Sequence, residues 1–293
     1  IWDMYLSPTV AGRKGKVIFI TTPEGRNWIY DLYKLGASDT EWNSYSSPSW
    51  MNQHEFPLGI HDPALIERQR NMTKALFGQE FGAEFSVFEG KVWDFDRTED
   101  TGDFPYDPNL PTYCSIDFGY RMPAVLFMQT QVIDGQDHIR IFDSILHKQN
   151  IKTEDLIKMI KTKGYPIVSY YGDPAGSNVQ GQSGAADMEI FRRSGIHIIS
   201  TRDKESRNII SSVAYARGFF ENAYGTRRVH VDKRCLDVIQ DFEEYRYPES
   251  VDGKAIREEP TKDGHHDHGN DAFRYFITNR FPMKNNKMRR IQR

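Results

Sequence analysis

Between residues 113 and 143 three short apolar segments follow one another, separated by polar breaks: Tyr113-Cys-Ser-Ile-Asp117, Ala124-Val-Leu-Phe-Met-Gln129 and His138-Ile-Arg-Ile-Phe-Asp143. Segments this short and this rich in β-branched and aromatic residues read as strands, and three in succession predict a meander. After them the hydrophobic period changes. Residues 152–163 carry a helical pattern ended by Gly164, and Ile167-Val-Ser-Tyr-Tyr171 is a strand running into Gly172-Asp173-Pro174. A helix is expected around 187–193, a strand at 196–200, and helices at 205–222, 233–245 and 267–279. A meander followed by alternating helices and strands specifies a mixed α/β sheet with flanking helices.

The chain upstream reads differently. Lys16-Val-Ile-Phe-Ile-Thr-Thr-Pro-Glu-Gly25 is a short β-rich run stopped by Pro23 and Gly25, and Asn27-Trp-Ile-Tyr-Asp-Leu-Tyr33 is a helix pattern. Residues 61–85 predict two helices broken near Thr73, with Asp62 as N-cap and Pro63 in the first turn. Residues 94–111 are rich in Asp, Pro and Gly and are expected to be a linker. The expected division is therefore 1–93, a linker 94–111, a main domain 112–283 and a basic tail 284–293. A length of 293 residues suits one substantial domain with a smaller piece.

Hydrophobic residues at 38% and charged residues at 27% describe a globular chain. No apolar run approaches the roughly 18 residues of a membrane span, and no export signal is read at the start. Cys114 and Cys235 lack the spacing of a disulfide framework or zinc ribbon, which fits a reducing cytoplasm. The net charge of -3 weighs against a phosphate-binding surface. It does not decide the matter, because acids gathered around metal ions also lower net charge. Local basic stretches such as Arg202-Asp-Lys204-Glu-Ser-Arg207 can still meet phosphate.

Three positions carry candidate chemistry. Asp117 ends one apolar strand, Asp173 ends another, and Asp267, His268 and Asp271 stand at a helix start with a spacing that lets all three share one face. Carboxylates converging from two strands and a helix repel one another unless cations lie between them, and oxygen donors of this kind suit Mg²⁺ or Mn²⁺. Two such ions activate water and stabilise the leaving oxygen of a phosphodiester. Each acid taken alone is equally readable as a turn or capping residue. The run His265-His266-Asp267-His268 looks like a zinc- or nickel-binding tract, but no other suitably spaced ligand accompanies it in sequence, so a dedicated structural metal site is not expected. No GxSxG hydrolase signature occurs.

Several segments together resemble the large terminase subunit of tailed phages and prophages, a packaging ATPase joined to an RNase H-like (RuvC-like) nuclease. Phe19-Ile-Thr-Thr-Pro-Glu-Gly-Arg-Asn27 is similar to that family's ATPase coupling motif, which would give Thr21, Thr22 and Gly25 a role in sensing nucleotide. Gln79-Glu-Phe-Gly-Ala-Glu-Phe85 resembles the segment closing the ATPase domain. Ser115-Ile-Asp117-Phe-Gly, Gly172-Asp173-Pro174-Ala and Asp267-His-Gly-Asn-Asp271-Ala-Phe-Arg-Tyr275 resemble the three acidic nuclease motifs in order.

The resemblance implies an RNase H-like mixed sheet preceded by a partial ATPase segment. Its implied function is two-metal endonucleolytic cutting of concatemeric double-stranded DNA with little sequence preference. Asp117, Asp173 and Asp271 would be catalytic metal ligands for two Mg²⁺ or Mn²⁺ ions, with Asp267 as alternative third acid and His268 as auxiliary ligand. Arg121, Lys204, Arg207 and Lys262 are candidate phosphate contacts, positioning DNA without reading its sequence. Portal protein, the small terminase subunit and a homo-oligomeric ring are the implied partners, in the host cytoplasm at the procapsid portal. No Walker A loop or Walker B acid precedes Thr21, so the chain is expected to be a fragment or split product without ATPase activity of its own. A Holliday-junction resolvase of the same fold and a non-catalytic portal or DNA docking module are the competing readings.

Overall fold

The computed structural model describes residues 6–7, 15–23, 28–85, 90–118, 122–173, 184–201, 203–248 and 259–283. A two-residue strand, β1 (Thr101–Gly102), precedes the meander of β2 (Thr112–Asp117), β3 (Ala124–Ile133) and β4 (Gln136–Ile145). The β3–β4 connection is the pair Asp134-Gly135, both at positive φ (50° and 73°), the two-residue turn whose twist matches that of the flanking strands. Beyond the meander come β5 (Ile167–Gly172), β6 (Ile198–Ile199) and β7 (Val229–Asp232). They assemble one seven-stranded sheet in the order β1-β7-β4-β3-β2-β5-β6. The β2–β3 and β3–β4 pairs are antiparallel; β5 and β6 extend the sheet in parallel on the β2 side, and β7 and β1 in parallel on the β4 side.

Strand alternation distributes the core between two faces. Cys114, Ile116, Val125 and Phe127 face α5 (Thr153–Thr162) and α6 (Gly184–Arg193), packing with Leu156, Ile160 and Phe191. On the other face Tyr113, Leu126 and Met128 join Phe219 and Phe220 of α8 (Ile209–Phe220), Phe242 of α9 (Leu236–Glu244) and Phe273 and Phe276 of α10 (Asp267–Arg280). Every residue of β2 is buried, as expected of a strand covered on both sides. Helix α10 crosses β2, β3 and β5, and Ser115 Oγ donates to the Ala272 carbonyl at 2.7 Å, fixing helix against strand.

Upstream lie α1 (Trp28–Leu35), α2 (Pro63–Asn71) and α3 (Lys74–Glu80). Asp62 caps α2 as expected, accepting from the Ala64 amide, and Thr73, where the break between the helices was expected, caps α3 by accepting from the Leu76 amide.

Residues 16–20, expected as a strand, do not form one, and Ile18 and Ile20 are 82% and 93% exposed. A strand exists only through its neighbour's hydrogen bonds, and apolar alternation does not supply that neighbour. The segment 94–111, expected as a linker, carries α4 (Arg97–Asp100) and β1, so much of it is integrated into the sheet. Just before it, Val92 and Trp93 are buried in the main core, and the Trp93 indole donates to Asn270 of α10. The helix expected over 205–222 is two, α7 (Lys204–Arg207) and α8, divided where the Asn208 side chain caps the Ser211 amide. The tail 284–293 lies outside the described residues.

Candidate active site

Adjacent parallel strands β2 and β5 pair Ile116 with Gly172, so Asp117 and Asp173 stand at the same level on neighbouring strand ends. Odd-numbered residues of β2 face α10, which directs Asp117 towards the helix start. There His268 Nδ1 lies 2.8 Å from Asp117 Oδ2. One turn on, Asp271 Oδ1 accepts from Arg274 Nε at 3.1 Å and Nη2 at 2.9 Å, and Lys262 Nζ stands 3.4 Å from Oδ2. Arg274 is buried and donates through Nη1 to Ser212 Oγ of α8 at 3.0 Å.

The electrostatics are those of acids drawn together inside a protein. Burial pushes the Asp117 carboxyl up; the hydrogen bond from His268 opposes this, and the charges of Asp271 and Asp173 raise it further. His268 is raised in return, first by its bond to Asp117 and against its own burial. Asp267, the first residue of α10, is also raised by burial, and its Oδ1 is a buried atom with no hydrogen-bond partner. Arg274 is held above its ordinary range: burial works against its charge, but the Asp271 carboxylate outweighs it.

The donor chemistry fits a hard divalent cation, with carboxylate oxygens that repel one another and an orphaned buried oxygen on Asp267. The donor positions do not yet form a cage. Among the described residues no three His, Cys, Asp or Glu side chains converge on one cation position. Protein groups occupy the oxygens instead, the Lys262 and Arg274 cations on Asp271 and the His268 imidazole on Asp117.

Of the sequence candidates, Asp117, Asp173, Asp271, Asp267, His268 and Lys262 fall in this neighbourhood. Lys204 and Arg207 are exposed on α7, and no hydrogen bond or ion pair joins them to the acids. Thr21 and Thr22 are exposed, the Thr21 hydroxyl donating to the Thr22 carbonyl at 3.0 Å. Arg121 and Gly25 lie outside the described residues. Sequence reasoning passed over Arg274 and Ser212. The spacing of Asp271 and Arg274, one helical turn apart, was a usable signal for the first; Ser212 comes from another helix, and only the fold brings it here.

The sheet order, antiparallel meander flanked by parallel strands, is that of an RNase H-like fold, and solved structures share it. The large terminase of a thermophilic bacteriophage superposes with a TM-score of 0.58 at 18% identity, covering 88% of this chain and 60% of that one. The P22 large terminase nuclease domain gives 0.52 at 14% identity, covering 67% of this chain and 94% of that domain. No family model matches the chain. In sequence it is 26% identical over 286 residues to the terminase large subunit of Escherichia phage T5, covering 93% of this chain. It is also 27% identical over 110 residues to the large subunit of Thermus phage G20c, covering 31% of this chain and 22% of that protein. The chain is thus similar over most of its length to a phage terminase large subunit, and it shares the fold of the P22 large terminase nuclease domain. It spans 60% of the length of the T5 relative.

Proposed function

We propose that this chain is a metal-dependent endonuclease that cuts double-stranded DNA during viral genome packaging. The observation that carries the reading is the meeting of Asp117 with His268 at 2.8 Å, beside Asp173 on the next strand end and Asp271 one turn along the helix. Asp117, Asp173 and Asp271 hold the cations. Asp267 is the alternative third acid, and His268 an auxiliary ligand. Two Mg²⁺ or Mn²⁺ ions, when bound, lower the pKa of an attacking water and offset charge on the phosphodiester. The protein's own part is positional. Arg274 locks one oxygen of Asp271, His268 orients Asp117, and Lys262, exposed at the rim, turns from Asp271 to a backbone phosphate as DNA arrives. Arg121, Lys204 and Arg207 add phosphate contacts that carry no sequence preference.

In this reading the nuclease comprises the expected 112–283 together with residues 92–111, since Val92, Trp93 and Phe95 pack in its core, and the chain before them belongs to the ATPase side, where Thr21, Thr22 and Gly25 couple to nucleotide state. Kinship with the large subunits supports portal protein and small subunit as partners, a ring of copies in the assembled motor, and the procapsid portal in the host cytoplasm as the place of action.

The test is nicking of supercoiled plasmid by the purified chain in EDTA, Mg²⁺ or Mn²⁺. Wild type nicks only with metal, and Asp117→Asn or Asp173→Asn loses at least about 100-fold in rate, as removal of a principal transition-state stabiliser does. Asp267→Asn and Asp271→Asn identify the third acid by which is the more damaging. A folded wild type that never nicks, or an Asp117→Asn variant that nicks equally well, overturns the proposal in favour of a docking module.

A further inference from the structure

A second group of metal-type donors lies just before α10, next in sequence to Asp267 of the acidic site but built around other side chains. His147, just after β4, has a φ of 55°, a left-handed conformation uncommon for a residue with a side chain. Its Nδ1 stands 3.1 Å from Nδ1 of His265, and its Nε2 stands 3.0 Å from Asp241 Oδ1 on α9. The adjacent His266 uses Nδ1 for Asp263 Oδ2 at 2.7 Å, while its Nε2 is buried without a partner. Ring centroids of His147 and His265 are 4.1 Å apart, and those of His265 and His266 4.6 Å.

Asp241 is the anomaly. Its side chain is 1% exposed, yet neither carboxylate oxygen has a hydrogen bond, the His147 contact being close but poorly directed. The fold keeps room for it: a Cβ on Gly269 of α10 would come within 2.4 Å of Asp241 Oδ2. A buried carboxyl left without hydrogen bonds destabilises the fold, so its retention calls for a charge to meet.

We propose that His147, His265 and His266 form a binding site for a first-row transition dication of the Zn²⁺ class, supported from behind by Asp241 and Asp263. Two facing imidazole nitrogens 3.1 Å apart have the bite of a metal chelate. A carboxylate behind a ligating histidine fixes its tautomer and raises its basicity; Asp241 stands so to His147 and Asp263 to His266. Imidazole donors select Zn²⁺, Co²⁺ or Ni²⁺ over Mg²⁺, so this site and the acidic one take different ions. Among the described residues no three donors yet converge, and the third comes in by rotation of the exposed His265 and of His266. The bound ion ties the segment after β4, helix α9 and the start of α10 to one point. The proposal does not rest on nuclease activity.

Co²⁺ is the probe, because imidazole ligation gives it visible absorption bands. The full chain is titrated with Co²⁺ in excess Mg²⁺, followed by Zn²⁺ competition and thermal melts. Wild type binds one Co²⁺ that Zn²⁺ displaces, and Zn²⁺ raises Tm. His147→Gln and His265→Gln each abolish the bands, Asp241→Asn weakens binding about tenfold, and Asp117→Asn leaves the bands intact. His265 is exposed, so its variant keeps the fold whatever becomes of His147→Gln. If folded His265→Gln binds Co²⁺ as wild type does, or the bands vanish only in Asp117→Asn, the three-histidine site does not exist.

Discussion

Asp271 meets a cation on each oxygen, but the two cations are unlike. Lys262 is exposed and 3.4 Å away, whereas Arg274 is 4% exposed and makes a two-pronged contact while also holding Ser212 of a second helix. Removing one partner of a buried pair is far more damaging than the pair is stabilising, because the remaining charge is left in a poor solvent. Arg274→Met is therefore expected to destabilise the fold by about 3 kcal/mol, measured by urea unfolding, while Lys262→Met changes it by less than about 1 kcal/mol. Equal effects would mean that the buried arginine is not what anchors Asp271. At this scale the sequence was informative wherever a residue acts within its own element. Asp62 as a cap and Asp117 at a strand end were both readable. Arg274 had a local signal in its spacing from Asp271; the meeting of Asp117 with His268, 151 positions later, had none.

Elements were legible where their period was long and uninterrupted, and less so where pairing decides. The meander and α10 follow directly from pattern. Strand β7, only Val229–Asp232, has a single apolar alternation between basic residues and forms because β4 offers an open parallel edge. That pairing has a chemical signature. Its register places Arg140 beside His230, and the His230 ring stacks on His138 with Nε2 3.0 Å from His138 Nδ1. Burial, then His138 and Arg140, push His230 down to about 4, and burial and Arg228 lower His138, with Asp134 and Asp137 opposing. Between pH 6.5 and 4 the unfolded chain takes up the proton that folded His230 refuses. Its contribution is thus intact above about pH 6.5 and is lost as pH falls towards 4, on the order of 2 to 3 kcal/mol. His230→Gln should flatten that part of the stability–pH curve. An unchanged slope in the variant would show that other groups set the acid limb.

For the whole molecule the question is where the nuclease body begins. Composition placed the boundary in the Asp-, Pro- and Gly-rich stretch 94–111, since such residues mark linkers more often than edge strands. We propose that it lies earlier. Among the described residues neither large core cluster contains one before Val92, yet Val92, Trp93 and Phe95 all belong to the one beneath α10. Asp94 pairs with Arg217, Asp100 with Arg227, and β1 forms the sheet edge on β7. The helices before residue 86 touch this body more lightly, through the Thr73–Asn222 bridge, the Asn222 side chain on the Arg70 carbonyl and the Ala223 amide on the Met72 carbonyl. A fragment of residues 90–293 should therefore unfold in one cooperative transition and keep metal-dependent nicking. A fragment of residues 105–293 should not fold, because it removes Val92, Trp93 and Phe95 from the main core and takes Asp94 from Arg217 and Asp100 from Arg227. Losses of about 3–5 kcal/mol for a single buried aromatic already approach the whole stability of a domain this size. Circular dichroism melts of the two fragments decide it: two equally cooperative transitions would put the boundary after β1 and return 94–104 to the role of a linker.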